Sequence, residues 1–293
     1  MAERAASILM KSLEDRWASY QKARRRTQSS MSEKNVHDLR VALRRLEATV
    51  SLAGLFLPET STQRTRRRLK RLRKRLNPLR DAQVQILAVR DMIPDYPDLR
   101  KFQRKLKRRE KSLLRPLRKE IRLGHGRLKK SFAGMLDHSA NRLRMFTGDE
   151  IQRTITAGAE KAYASLIDVK RRVDPQDAPS IHRMRVAFKK FRYVIESAPA
   201  AFEGVTEATL QNMNRFQGML GDIQDAEVLF ESVMQWGRSR RRRMRRRLAP
   251  VYTAIAQRRR DAIDGFLARI NDVHTFWIPQ TQKSSLAPIR AAG

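Results

Sequence analysis

The chain of 293 residues carries 64 Lys and Arg against 30 Asp and Glu, a formal net charge of +34, and a compact body so charged repels itself unless anions sit close by. Nucleic acid, anionic lipid and polyphosphate are partners of that kind, whereas a small acidic metabolite needs far less charge. The absence of cysteine excludes disulfides, thiolate catalysis and Cys-bearing zinc sites. No run of about 18 apolar residues occurs, and Lys11, Glu14, Asp15 and Arg16 interrupt the first stretch, so neither a membrane-spanning helix nor a signal peptide is expected and the expected location is cytoplasmic.

Taken in chain order, the apolar pattern has a period near 3.6 throughout. Val36, Leu39, Leu43, Leu46 and Val50 recur at spacings of three and four, as do Leu69, Leu72, Leu76 and Leu79. The reading predicts helices over 2–26, 33–55, 62–92, 98–122 and 126–146, with Gly124 to Gly126 as a break. A second set follows over 149–172, 180–197, 206–236, 239–247 and 250–272, and the tail from Phe276 reads as irregular. Strand-like alternation is missing, so the fold class is all-α.

Two motifs return in order. Val36-His37-Asp38-Leu39-Arg40-Val41-Ala42-Leu43-Arg44-Arg45-Leu46 reappears as Ile181-His182-Arg183-Met184-Arg185-Val186-Ala187-Phe188-Lys189-Lys190-Phe191. Leu76-Asn77-Pro78-Leu79-Arg80-Asp81-Ala82-Gln83-Val84 reappears as Leu220-Gly221-Asp222-Ile223-Gln224-Asp225-Ala226-Glu227-Val228. Nearly equal offsets indicate a duplication, with repeats over 1–147 and 148–275 and a tail over 276–293. Four or five helices per repeat suit an antiparallel four-helix bundle, and two such bundles are expected about a pseudo-twofold axis.

At about 100° per residue, His37, Arg40 and Arg44 fall on a strip beside the apolar stripe, and Arg45 points further away. His182, Arg185, Lys189 and Arg192 share the corresponding strip, with Tyr193 at its edge. Arg66, Lys70, Arg73, Asn77 and Arg80 repeat the design on the next helix. Cations bordering a buried stripe are held in place by packing, and few acidic residues stand at i,i+4 to pair with them. By contrast, Arg240 to Arg243, Arg245 to Arg247 and Arg258 to Arg260 cover nearly all sides of their segments and read as solvated surface. Each His precedes an Arg by three residues on its strip, a placement suited to a phosphate oxygen. No HxxxH or HExxH spacing supports a metal, and none is expected. Asp81 and Asp225 are read as orienting a nearby Arg through an ion pair, since magnesium-assisted phosphoryl transfer gathers several carboxylates.

These motifs resemble the CHAD family, the conserved histidine α-helical domain. The residues that carry the resemblance are His37, Arg40, Arg44 and Arg45 with Leu76, Arg80, Asp81, Ala82 and Val84. Their counterparts are His182, Arg185, Lys189, Lys190, Arg192 and Tyr193 with Leu220, Asp225, Ala226 and Val228. The resemblance implies two four-helix bundles around a basic central cleft that binds long-chain polyphosphate, at polyphosphate granules, with polyphosphate-metabolising proteins as potential partners. Glu47 and Ala48 stand where the second copy has Arg192 and Tyr193, and Asn77-Pro78 replaces Gly221-Asp222, where a kink is expected.

The resulting expectation is a protein without catalytic activity or cofactor that binds inorganic polyphosphate through His37, Arg40, Arg44, Arg45, Arg66, Lys70, Arg73, Arg80, His182, Arg185, Lys189, Lys190, Arg192 and Tyr193. Sequence-independent contact with an RNA or DNA backbone is the alternative, and a phosphoryl-transfer enzyme a more distant one. Residues 1–147 hold 39 basic and 14 acidic groups, residues 148–293 hold 25 and 16, so the ligand is expected to lean on the first half.

Overall fold

The computed structural model describes residues 2–277, with side chains from residue 5 onward. Among the described residues every regular element is helical. The helices are α1 (Ala2–Ser29), α2 (Glu33–Ala53), α3 (Glu59–Met92), α4 (Leu99–Leu143), α5 (Gly148–Arg171), α6 (Ala178–Ser197), α7 (Glu207–Arg238), α8 (Arg242–Arg247) and α9 (Ala249–Leu267). Short 3-10 turns follow α6 and α9. Ser32 starts α2 by accepting the Asn35 amide at 3.3 Å, and Thr147 and Thr206 start α5 and α7 with reciprocal capping boxes. Each cap satisfies donors that the first helical turn leaves without a partner.

The expected break at Gly124 to Gly126 is not there: α4 runs unbroken for 45 residues. Two interior glycines cost roughly 1 kcal/mol each, and a continuous buried stripe of Leu117, Ile121, Leu128, Phe132 and Met135 outweighs that. His125, between the glycines, is packed as well. Its ring lies 6.0 Å from that of Trp17, and its Nδ1 is 3.4 Å from the Tyr20 hydroxyl. Trp17 in turn stacks on Phe132 at 4.4 Å.

Smaller corrections concern the ends. The arginine-rich segment, expected to be helical over 239–247, is helical only over Arg242–Arg247. The last helix stops at Leu267. Phe276 and Trp277, assigned to the irregular tail, are buried in the core, where Phe276 packs on Phe188 and Phe216 and Trp277 on Tyr163, Phe191 and Phe202. The rest of that tail, 278–293, lies outside the described residues.

Helices α1 to α4 pack in a ring, each on its sequence neighbours and α4 back onto α1. Helices α5, α6, α7 and α9 pack in succession beside them. Between the halves α1 meets α5, α2 meets α6 and α3 meets α7, so the helices carrying the recurring motifs face each other. Burial is not divided at the connector between α4 and α5. One apolar cluster joins Leu39, Leu43 and Leu46 of α2 to Met184, Phe188 and Phe191 of α6. A second, smaller cluster seals the far end, where Val89 and Phe102 meet Leu229, Trp236 and Ile255.

Candidate functional site

His37 and His182 occupy the same place, the fifth residue of α2 and of α6. From there the two basic strips run side by side. Arg40, only 8% exposed, and Arg44 come from α2, Arg185 and Lys189 from α6, and Arg73 from α3. Their crowding shows in their protonation. Burial, reinforced by Arg44, Arg185, Arg73 and Arg40, pulls the Lys189 ammonium down to about 6. Burial, with Arg44 next, lowers Arg40 to about 10, which leaves it charged at neutral pH. Arg185 is lowered by burial and by Arg44, against the opposing field of Asp225.

The carboxylates stand at the end of the strips nearer the two histidines. Asp81 is raised by desolvation, and Arg40, Arg109, Arg80 and Arg44 pull it back. Asp225 is likewise raised by desolvation and opposed first by Arg185 and Arg80. Each Asp therefore acts through space on the Arg of its own half, and no contact ion pair joins Asp81 to Arg40 or Asp225 to Arg185. Two acidic partners come instead from α2: Glu47 pairs with Arg73 at 3.0 Å and Glu33 pairs with Arg80. What remains uncompensated is telling. Among the described residues Arg40 Nη1, Arg44 Nε and Arg185 Nε are buried donors with no acceptor, and such donors are costly unless something accepts from them.

Beside these groups opens a groove of about 690 Å³. Arg44, Arg66, Arg73, Lys189 and Lys190 give it charge, while Leu52, Leu55 and Val186 form an apolar wall. Tyr193 also lines it. Lys161 of α5 reaches the same groove; it lies outside both recurring motifs, and nothing in its local sequence marks it.

Eight of the fourteen expected ligands do not line this groove: Arg40, Arg80 and Arg185 belong to the adjoining cluster with Asp81 and Asp225, and His37, Arg45, Lys70, His182 and Arg192 sit elsewhere. Arg45 lies on the α1 side, 3.2 Å from Glu196. Arg192, 3% exposed, is an interior residue that pairs with Glu196 at 3.4 Å, donates to Asn214 and stacks over Tyr193. Lys70 is exposed on α3 and does not line the groove. For Arg45 and Arg192 the physical reason is Glu196, a buried carboxylate that holds both guanidinium groups while Arg16 donates to its carbonyl at 2.6 Å. His37 opens toward α1 beside Arg16 and Arg26, and burial lowers its pKa. His182 Nδ1 lies 2.6 Å from Gln224 Oε1; as that oxygen only accepts, Nδ1 carries the hydrogen. Among the described residues no group of three or more His, Asp or Glu could hold a metal ion, and no helix is long and apolar enough to cross a membrane.

Comparison with protein families matches the CHAD domain over residues 11–233. The chain belongs to the CHAD domain family. Among solved structures, the CHAD domain from the plant Ricinus communis superposes with a TM-score of 0.64 at 16% identity, over 92% of this chain and 90% of that one. PptA from Streptomyces chartreusis gives a TM-score of 0.56 at 15% identity, over 90% and 98%. At such identities the likeness is one of fold. No curated protein matches the sequence. The CHAD match takes in both basic strips and the groove, and it ends before α8 and α9.

Proposed function

We propose that this protein binds inorganic polyphosphate in the groove between α2, α3 and α6 and does not transform it. The observation that carries the reading is the set of buried donors Arg40 Nη1, Arg44 Nε and Arg185 Nε without acceptors among the described residues, beside a lysine that burial, reinforced by four guanidinium groups, pushes toward its neutral form. Phosphoryl oxygens satisfy both conditions at once. They accept charge-assisted hydrogen bonds, and their negative charge relieves the repulsion among the cations. A linear polyphosphate offers such oxygens at every unit, and family membership supports the same reading.

Catalysis has little to work with here. Asp81 and Asp225 are interleaved with Arg40, Arg80 and Arg185, a field that opposes the gathering of magnesium ions on which phosphoryl transfer depends. The protein's place in the cell is then at polyphosphate granules, alongside the proteins that make or consume the polymer.

The test is competition at equal phosphate concentration. Long-chain polyphosphate should displace labelled duplex RNA, and duplex RNA should fail to displace polyphosphate. The reverse order would assign the groove to nucleic acid. Replacing Arg40, Arg44, Arg185 and Lys189 with Gln should weaken polyphosphate binding by at least a hundredfold and leave the helical signal intact; unchanged affinity would place the site elsewhere. Release of orthophosphate from polyphosphate with magnesium at enzymatic turnover would overturn the non-catalytic reading.

A further inference from the structure

The groove uses few of the chain's cations. Helix α4 alone holds 16 Lys and Arg against three acidic residues. Two of those acids turn toward α3: Glu110 accepts from Gln83 at 3.1 Å and Glu120 pairs with Arg75 at 3.1 Å. On the opposite side of α4 stands a row of Arg104, Arg108, Lys111, Arg115, Arg118 and Arg122, all exposed. Alternating steps of four and three residues keep the row on one face, and it spans about 27 Å along the axis. Among the described residues none of the six makes an ion pair or a side-chain hydrogen bond.

A solvated helix face ordinarily mixes signs. This one sets like charges at i,i+4 three times, Arg104 with Arg108, Lys111 with Arg115 and Arg118 with Arg122, an arrangement that destabilises a helix. The row does not serve the groove. Helix α4 packs on α3 and α1, and its buried residues Phe102, Leu106, Leu117, Ile121 and Leu128 lie on the far side from the row. The surface is partly concave: Arg115, Arg118, Lys119 and Arg122 line a hollow of about 640 Å³ against Gln28 of α1. The Arg247–Asp98 pair, 2.9 Å, brings the end of the arginine-rich α8 to the start of α4.

We propose that the outer face of α4 is a second polyanion-binding surface, through which one molecule bridges two polyphosphate chains, or two stretches of one long chain. This rests on the reading of the groove as a polyphosphate site. The row carries no exposed aromatic side chain, since Phe102 and Phe132 are buried. It therefore contacts charge alone and has nothing on which a base would stack, and a polymer that is phosphate throughout satisfies such a row best.

The experiment compares the full chain with a variant carrying Arg104→Gln, Arg108→Gln, Lys111→Gln, Arg115→Gln, Arg118→Gln and Arg122→Gln. Glutamine is nearly as good a helix former as arginine, and circular dichroism verifies the fold. Titrated with short-chain polyphosphate, the parent should show a tight and a weaker binding event, and the variant only the tight one. With long-chain polyphosphate the parent should form light-scattering assemblies, and the variant should lose at least tenfold of that scattering. A parent with one binding event, or a variant that scatters like the parent, overturns the bridging. Duplex RNA displacing short-chain polyphosphate from the weaker site alone assigns the face to nucleic acid and also overturns it. The quadruple groove variant separates the two ideas: if it keeps the tight event, the groove reading fails while the outer surface stands.

Discussion

At the scale of single residues, Lys189 is the most informative group. Its pKa falls from 10.5 in a free lysine to about 6 in the folded chain. Between those values the unfolded chain holds a proton that the folded one lacks, so Lys189 makes the stability of the free protein rise with pH across that window. A bound polyphosphate reverses the environment and favours the ammonium. Binding near neutral pH should therefore draw protons from solution, read by calorimetry in buffers of different ionisation enthalpy. The variant Lys189→Arg, charged throughout, should still bind but take up close to one proton fewer. Equal uptake by parent and variant would show that Lys189 is already charged in the free groove. Much of this was legible in the sequence, because Arg40, Arg44, Arg185 and Lys189 share strips at helical spacing. The diversion of Arg45 and Arg192 to Glu196 was not. It depends on Glu196, which lies 151 residues from Arg45, and no local pattern reports such a meeting.

At the scale of elements, apolar period and the Gly and Pro clusters between helices predict α2, α6 and α7 closely. Helix α4 escaped because Gly-His-Gly is a turn signal locally, and the stripe that overrides it becomes visible only when Trp17 and Tyr20 of α1 are seen against it. The continuity is open to test. A Cβ built at Gly124 or Gly126 meets nothing within 4 Å. Gly124→Ala and Gly126→Ala should thus each stabilise the protein by up to about 1 kcal/mol, seen as a higher denaturant midpoint. A loss of stability at either position would mean that the backbone there is not helical. The pairing of α2 with α6 and of α3 with α7 has a direct electrostatic result: Arg80 of the first half lies in the field of Asp225 of the second.

At the scale of the whole molecule, charge and core pull in opposite directions. The net charge of +34 favours expansion, while one apolar cluster shared by both halves holds the chain together. Unfolding should accordingly be a single transition involving both halves. Salt alone should raise its midpoint by screening repulsion, and polyphosphate at low salt should raise it further. Ligand at about a hundred times its dissociation constant contributes roughly 2.7 kcal/mol. That increment should vanish near 1 M salt, where the screening length is about 3 Å. An increment that survives such salt would mean that the contacts are not mainly ionic. Composition made the demand for anions plain from the outset; it could not say that the cations divide between a groove and the back of α4.

The shared core also bears on the timing of recognition. The groove's walls come from both halves, which share one apolar cluster, so packing holds the cations in place before any ligand arrives. Polyanions of every kind are drawn in at similar speed, because long-range attraction does not distinguish one phosphate polymer from another. Selection falls on departure: a chain whose oxygens meet Arg40, Arg44 and Arg185 stays, and one that does not match them leaves quickly. Residence time, rather than capture, is the quantity in which this protein tells its ligands apart.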